Sequence, residues 1–500
     1  TITPPLVSGS GPTTFEYNDD KQLLVIKQPG NESISFAFDL QGRLQSIDLA
    51  QGGFPSATYT LAYGVSNRLE TVTGPGSQTV AYAYQGDLVV GETWGGVVEG
   101  SVTQTYDSAF RKASQTVHGG TSVHFGYDDD DLLTSIGAFT ISRNAANGLA
   151  QSANLGVIGD SWTYNSFGEV TGFGVTANAA TVYDVGYTRD DLGRIVQKVE
   201  TVEGITDTYD YDYDVRGQLI EVQKNSVVVE SYSYDDNGNR LSATVYGEVS
   251  NAAHDAQDRL QSYGGSTFNY APTGRLLTRT EPGDQVTTFD YDPAGNLRGV
   301  TLPNSTQITY GLDGPDRRVQ RSVDGTITHR YLYDGYLPVA ELDDKGVIIS
   351  QFAYAGGNVP AYMIKGGATY RIVTDQVGSV RLVIRSSDGV IVQRMDYDSF
   401  GKVINDSNPG FQPICFAWGI CDISKGLVRF GFRDYDPETG RWTIPDPVGF
   451  NGDDANLYRY VRNDPVNRTD VTGLSGWDTF WGFADAFNQG IQEALNPMLA

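Results

Sequence analysis

The sequence predicts an all-β protein built as one long array of hairpins, and three observations support this fold class. Glycine, with 59 residues, and tyrosine, with 30, are well above their average usage, whereas methionine occurs only 3 times. Aromatic residues recur at a fixed period, and a polar turn that contains glycine follows each of them. A fixed period of about 20 residues or more is typical of solenoids and other repeat arrays.

Each repeat has the order strand, turn, strand. Clear copies read SFAFDLQGRLQSI, YDYDVRGQLIEV, YSYDDNGNRLSAT and FDYDPAGNLRGV, and Tyr213 precedes Tyr234 by 21 residues. The alternation Tyr-x-Tyr places apolar side chains on one face of a pleated hairpin, and Asp-x-x-Gly supplies the turn. Because a single hairpin is marginally stable, consecutive hairpins must pair edge to edge into a long, winding sheet.

The net charge limits the classes of partner. Lys and Arg number 35 and Asp and Glu number 61, which gives a formal charge of −26. This charge repels phosphate backbones and anionic lipids, so we expect no nucleic-acid partner. No run approaches the roughly 18 apolar residues of a membrane-spanning helix, and the first residues, TITPPLVSGSGPTT, lack the pattern of a signal peptide.

The cysteines and histidines suggest no cofactor chemistry. Cys415 and Cys421 are the only cysteines, so disulfides do not build the fold. Two interpretations of this pair stay open, which are a small disulfide loop in an oxidising compartment and two buried thiols. The four histidines have no ligand spacing, and no phosphate loop, nucleophile elbow or zinc motif occurs. We therefore predict no metal and no cofactor.

The recurring YD-x-x-G-R/N-L unit resembles the YD repeat of the RHS family. That family includes bacterial polymorphic toxins, the C components of insecticidal toxin complexes, wall-associated proteins and the animal teneurins. The resemblance covers about residues 15–474. It implies that residues 1–400 form a spiralling β-sheet that closes into a hollow shell, which in the toxin members holds a cargo.

Residues 427–474 resemble the RHS-associated core, and a cysteine-containing insertion, residues 401–426, precedes them. The matching text includes RDYDPETGRW, DPVG, NLYRYVRNDP and DVTGL. In self-cleaving members this core acts as an aspartic-type protease on its own chain and cuts after the last motif. The resemblance therefore implies that Asp446 and Asp470 are the two motif aspartates and that the bond between Leu474 and Ser475 is cut.

Arg433 and Asp434 match further positions that toxin-complex members of the family need. Two carboxylates held close together cannot both ionise cheaply, so one keeps a proton and acts as an acid while the other activates water. Arg433 could orient one of them through paired hydrogen bonds. Asp-Pro and Asp-x-x-Gly are also ordinary turn chemistry, and Val471 stands where the family usually has proline.

Residues 475–500 have apolar residues at helical spacing, which predicts a short terminal helix. Three interpretations of this segment stay open: the start of a variable cargo, a plug of the shell, and a packed terminal helix.

Two functions from different classes follow. The first is a secreted or cell-surface shell that encloses its own C-terminal effector and releases it by self-cleavage, with an export or toxin-complex component and an immunity protein as further partners. The second is a structural or adhesive surface protein without proteolysis, in which the tyrosine stripes bind glycans. Because the tyrosines recur with the period of the fold, we expect most of them to pack within the sheet.

Overall fold

The structure, a computed structural model, describes residues 5, 7, 11–51, 57–422, 424, 426–452 and 454–474. Within these ranges, 38 strands form one sheet in which each strand runs antiparallel to its neighbours in the chain. The all-β fold class, a YD-repeat sheet that forms a shell, is therefore confirmed. The terminal helix that we predict for residues 475–500 lies outside the described residues.

The strands of the first half of the sheet are β1 (Thr14–Tyr17), β2 (Leu23–Gln28), β3 (Glu32–Phe38), β4 (Leu44–Ala50), β5 (Ala57–Tyr63), β6 (Leu69–Thr73), β7 (Thr79–Gln85), β8 (Leu88–Gly95), β9 (Gly100–Tyr106), β10 (Lys112–Val117), β11 (Val123–Tyr127), β12 (Leu133–Ile136), β13 (Phe139–Arg143), β14 (Ala150–Leu155), β15 (Ile158–Tyr164), β16 (Val170–Ala177), β17 (Ala180–Arg189), β18 (Ile195–Val202) and β19 (Ile205–Tyr213).

The strands of the second half are β20 (Leu219–Lys224), β21 (Val227–Tyr234), β22 (Arg240–Val245), β23 (Glu248–His254), β24 (Leu260–Tyr263), β25 (Ser266–Tyr270), β26 (Leu276–Glu281), β27 (Gln285–Tyr291), β28 (Leu297–Thr301), β29 (Gln307–Leu312), β30 (Arg318–Val323), β31 (Thr326–Asp334), β32 (Leu337–Leu342), β33 (Ile348–Tyr354), β34 (Pro360–Lys365), β35 (Ala368–Thr374), β36 (Val380–Arg385), β37 (Ile391–Tyr397) and β38 (Val403–Asp406).

The YD turn links each hairpin to the next one. In the turn between β3 and β4, Asp39 Oδ1 accepts hydrogen bonds from the backbone amides of Gln41 and Arg43, both at 2.9 Å. Arg43 Nε donates to Asp39 Oδ2 at 2.7 Å, and its guanidinium lies 4.3 Å from the ring of Tyr63 in the next repeat. The Tyr63 hydroxyl then donates to the Leu44 carbonyl at 2.9 Å. The Asp, Arg and Tyr of the motif therefore form one chain of contacts from turn to turn.

The sheet winds until its late strands pack against its early ones. Trp94 Nε1 in β8 donates to Asp313 at 2.9 Å, across 219 residues of sequence. Buried ion pairs join the early part of the sheet to the late part in the same way. In each pair the carboxylate belongs to residues 32–200 and the arginine belongs to residues 275–381. They are Glu32–Arg275, Glu92–Arg317, Asp160–Arg371 and Glu200–Arg381. The winding of the sheet brings the two partners of each ion pair together, although they are far apart in the sequence.

Between the layers lies a polar cavity of about 250 Å³, lined by residues of β18–β21, β36 and β37. Lys198, Lys224, Arg381 and Arg394 face it together with acidic side chains such as Glu200. Its volume is below that of a typical ligand pocket of about 300–1,000 Å³. The cavity therefore has room for water or a small molecule.

A second, four-stranded sheet lies in the C-terminal part of the chain. It consists of β39 (Ile420–Asp422), β40 (Leu427–Phe430), β41 (Arg433–Asp436) and β42 (Arg441–Trp442). The described ranges also contain four short 3-10 helices, namely Pro75–Ser77, Phe416–Trp418, Gly449–Gly452 and Val461–Asn463. Since β39 begins inside residues 401–426, the small sheet takes in part of that segment, and our domain boundaries stay predictions.

The C-terminal part packs against the YD turns of the late repeats. Tyr458 donates from its hydroxyl to the Gly274 carbonyl at 2.7 Å, and Asn456 Nδ2 donates to Asn239 Oδ1 at 2.7 Å. Cys415 and Cys421 form a disulfide, with their Cα atoms 5.9 Å apart. The Cys415 carbonyl accepts from the amide of Val380 at the start of β36. The turns of the shell thus form the surface on which the candidate site is built.

Candidate cleavage site

Arg433 lies at the centre of the candidate site and is 1% exposed. It is the first residue of β41, and its guanidinium carbon lies 4.1 Å from the ring of Trp442 in β42. One nitrogen, Nη2, contacts both motif aspartates, with 2.8 Å to Asp446 Oδ2 and 3.1 Å to Asp470 Oδ2. The structure therefore brings Arg433, Asp446 and Asp470 together, although 24 residues separate the two aspartates in the sequence.

Tight turns place both aspartates. The Asp446 amide donates to the Leu457 carbonyl at 2.9 Å, and Asp446 Oδ1 accepts from the Val448 amide at 3.0 Å. Asp470 Oδ1 accepts from the Leu474 amide at 3.0 Å, so this aspartate closes the turn that ends at the predicted cleavage point. The turn-forming character of both motifs is thus what holds the two carboxylates in place.

The segment that precedes the predicted cleavage point, residues 472–474, packs against the hairpin of β40 and β41. The Phe432 amide donates to the Thr472 carbonyl at 2.8 Å, and Arg433 Nε donates to the Gly473 carbonyl. Gly473 has a φ of +73°, and a Cβ there would lie 2.6 Å from the Phe430 carbonyl oxygen, so only glycine fits. Leu474 is partly exposed, and Ser475 lies outside the described residues.

Val471, which replaces the usual proline, packs beside the aromatic cluster of the small sheet. Its backbone joins Asp470 to Thr472, and the turn around it still closes on the Leu474 amide. The turn of the last motif therefore closes with valine at this position.

Asp434 lies on the opposite side of β41 from Arg433, because neighbouring residues of a strand point to opposite faces. Its two carboxylate oxygens bond Arg318 Nη1 and Nη2 at 3.0 and 2.9 Å, and Oδ2 also bonds Arg429 Nη1 at 3.0 Å. Arg318 belongs to β30 of the large sheet. Asp434 therefore ties the small sheet to the shell wall and does not join the cluster of Arg433, Asp446 and Asp470.

The electrostatics of the site favour a retained proton on Asp470. Burial raises the pKa of Asp470, Arg433 opposes this effect, and the nearby charge of Asp446 raises the pKa again, so that it lies above its ordinary value. A carboxyl with a raised pKa beside a second carboxylate is the arrangement in which one group can act as an acid and the other as a base.

Sequence reasoning did not identify Trp442 and Tyr460 as members of the site. Both are buried beside Arg433 and Asp470, in the aromatic cluster with Phe430 and Tyr435. The only signal for Tyr460 was its place in the family text NLYRY, where it looks like another sheet tyrosine.

The part of the chain that the structure describes contains neither a cluster of metal ligands nor a helix that could span a membrane. No group of three or more His, Cys, Asp or Glu side chains there is arranged to hold a metal ion. None of the helices found there has the length and apolar character needed to cross a membrane.

Comparisons with known proteins place the large sheet and the core in one family. The family model described as Teneurin YD-shell matches residues 2–466. Teneurin-3 of Danio rerio is 27% identical over 497 residues, which cover 94% of this chain and 18% of that protein. Teneurin-m of Drosophila melanogaster is 24% identical over 506 residues, with the same 94% and 18% coverage. The chain thus spans less than a fifth of the length of these relatives.

Solved structures of toxin complexes share the fold. The Photorhabdus luminescens Tc holotoxin pore matches with a TM-score of 0.79 and 16% identity, over 96% of this chain and 28% of that chain. The crystal structure of TcdB2-TccC3 matches with a TM-score of 0.71 and 16% identity, over 93% of this chain and 28% of that chain. At this identity the likeness shows the fold alone. Because the family model matches nearly the whole length of this chain, the chain belongs to the Teneurin YD-shell family.

Proposed function

We propose that this chain is a YD shell whose C-terminal core cuts its own backbone after Leu474, using Asp446 and Asp470. One observation supports this function above all others: oxygens of both carboxylates lie within 3.1 Å of the same guanidinium nitrogen, and one of the two aspartates bonds the Leu474 amide. Because the bond is part of the same chain, its effective concentration is high and one turnover is enough.

The proposed step is a hydrolysis. The oxygen of a water molecule adds to the carbonyl carbon of Leu474 while Asp446 accepts the proton that the water loses. The carbon–nitrogen bond to Ser475 then breaks, and the leaving nitrogen takes a proton from Asp470, the carboxyl whose pKa is raised by burial and by Asp446. Arg433 holds the two carboxylates at a fixed separation during both stages.

The wider role that we propose is release of the segment that follows Leu474 from a secreted or cell-surface shell. In this role the shell encloses that segment until the bond after Leu474 is cut. An export or toxin-complex component and an immunity protein are the partners that this role requires.

Mass spectrometry of the purified 500-residue chain tests the proposal directly. We expect two products, one that ends at Leu474 and one that begins at Ser475, which remain together or separate on a sizing column. A chain that stays intact after folding, with its thermal unfolding transition in place, would overturn the proposal.

The cleavage rate is expected to fall as pH rises. An aspartic acid with a raised pKa keeps its proton to higher pH than usual, so the acid form of Asp470 is present below that pKa and is lost above it. Intact chain isolated in denaturant can be refolded into buffers between about pH 4 and about pH 8, and the product followed by mass. A rate that climbs steadily over this range would contradict the assignment of Asp470 as the acid.

A second candidate function is a structural or adhesive shell without proteolysis. The observation that favours it is the ion pairing itself, because an arginine that satisfies two buried carboxylates is also a common structural device. Glycan binding by tyrosine stripes has less support, since sheet tyrosines such as Tyr183, Tyr211 and Tyr232 are buried. An intact chain in the mass measurement is the outcome that this candidate requires.

A further inference from the structure

Tyr460 is a fully buried tyrosine beside the proposed cleavage site, with an exposed fraction of 0%. Its ring is fixed among other aromatic rings, with centroids 4.4 Å from Tyr435 and 5.6 Å from Trp442. Its hydroxyl donates no hydrogen bond to any of the described residues, and neither does the Nε1 of Trp442. Buried polar groups are almost always hydrogen-bonded, so two such groups on neighbouring rings need an explanation.

The backbone after Tyr460 is strained. Val461, Arg462 and Asn463 have φ values of +40°, +57° and +60°, a left-handed turn that costs roughly 1–2 kcal/mol per residue for ordinary amino acids. Asn463 Nδ2 anchors this turn to the shell, with 2.8 Å to the Gly238 carbonyl and 2.9 Å to Gln218 Oε1. Strain of this kind persists where the surrounding structure enforces it, and it is frequent at functional sites.

The hydroxyl faces the aspartate that we assign as the acid. Burial raises the pKa of Tyr460 strongly, the charge of Asp470 raises it further, and the backbone amide of Asp470 points at the phenol oxygen. The pKa of Tyr460 therefore lies above its ordinary value, and its hydroxyl keeps its proton over the pH range of the cleavage assay as a donor next to Asp470.

We propose that the Tyr460 hydroxyl positions the attacking water beside Asp470, with Trp442 Nε1 as its second contact. A buried water needs two to four polar partners, and these two groups together with the Asp470 carboxyl supply them. The water is the same molecule whose oxygen adds to the Leu474 carbonyl carbon and whose proton passes to Asp446. The inference rests on the proposed function, and it adds a positioning residue that the aspartate pair alone does not contain.

The substitution Tyr460→Phe tests this role, because it removes a hydroxyl that donates to no described protein group. We expect the thermal midpoint to stay unchanged while cleavage slows about 10- to 100-fold. The midpoint of the rate against pH is expected to move to higher pH, since loss of a donor near Asp470 disfavours its charged form. A residue with a purely structural role would leave that midpoint where it is.

Tyr458→Phe is the matched control. The Tyr458 hydroxyl donates to the Gly274 carbonyl at 2.7 Å, so its removal should lower the thermal midpoint and leave the cleavage rate of the folded chain unchanged. If the wild-type chain cleaves and Tyr460→Phe cleaves at the same rate with the same pH midpoint, the inference about Tyr460 is wrong and the aspartate mechanism stands. If the wild-type chain does not cleave, the proposed function itself fails.

Discussion

Replacing Asp470 with asparagine is expected to slow cleavage after Leu474 by about 10²–10⁴-fold, because the site loses the proton that the leaving nitrogen must receive. Asparagine has the shape of aspartate, and its carbonyl oxygen can still accept from the Leu474 amide, a bond of 3.0 Å in the native chain. Its amide nitrogen would then face Arg433 Nη2, donor to donor, which costs about 1–3 kcal/mol of stability. The variant should therefore fold, with a lowered unfolding midpoint, and stay intact.

Asp464→Asn is the control for this variant. Asp464 is 3% exposed, lies in the same C-terminal segment and accepts from Asn467 Nδ2 at 2.7 Å, yet it does not contact Arg433 in the described structure. It should lose a comparable amount of stability and cleave like the wild type. Mass spectrometry and thermal unfolding of both variants separate the two effects, and equal loss of cleavage in both would remove the special role of Asp470.

Asp434→Asn is expected to destabilise the protein by about 3–5 kcal/mol, the usual result of breaking a buried ion pair from one side. Asp434 is 2% exposed and neutralises two buried arginines, Arg318 and Arg429. Asparagine cannot satisfy both guanidinium groups, so positive charge stays buried without a counter-charge. Because Asp434 lies on the other side of β41 from Arg433 and the two candidate aspartates, the folded fraction should still cleave at the wild-type rate.

Chemical denaturation with a parallel cleavage assay checks this expectation. The matched control is Asp236→Asn, which removes an exposed partner of Arg216, because exposed pairs contribute only about 0–1 kcal/mol. A variant of Asp434 that keeps full stability and loses cleavage would reverse our assignment and return this residue to the catalytic group.

Much of the candidate site can be predicted from the sequence through the family resemblance. The motif positions predict Arg433, Asp446 and Asp470 as site residues, and the structure brings all three together in one cluster. Asp434 was grouped with them because it follows Arg433 directly, although adjacent residues of a strand face opposite ways. The sequence does not single out Tyr460, because tyrosine recurs in every repeat and a tyrosine of the site cannot be told from a tyrosine of the sheet.

The sequence by itself determined the hairpin, its period and its turn chemistry, because the Asp, Gly and Arg of one turn and the Tyr of the next lie within about one repeat of each other. Only the tertiary structure decided how far the sheet winds and what it brings together. Trp94 meets Asp313 across 219 residues, and Asp434 meets Arg318 across 116. Such contacts depend on the small twist between neighbouring strands, which accumulates over many strands. The sequence of a single repeat does not show the total twist.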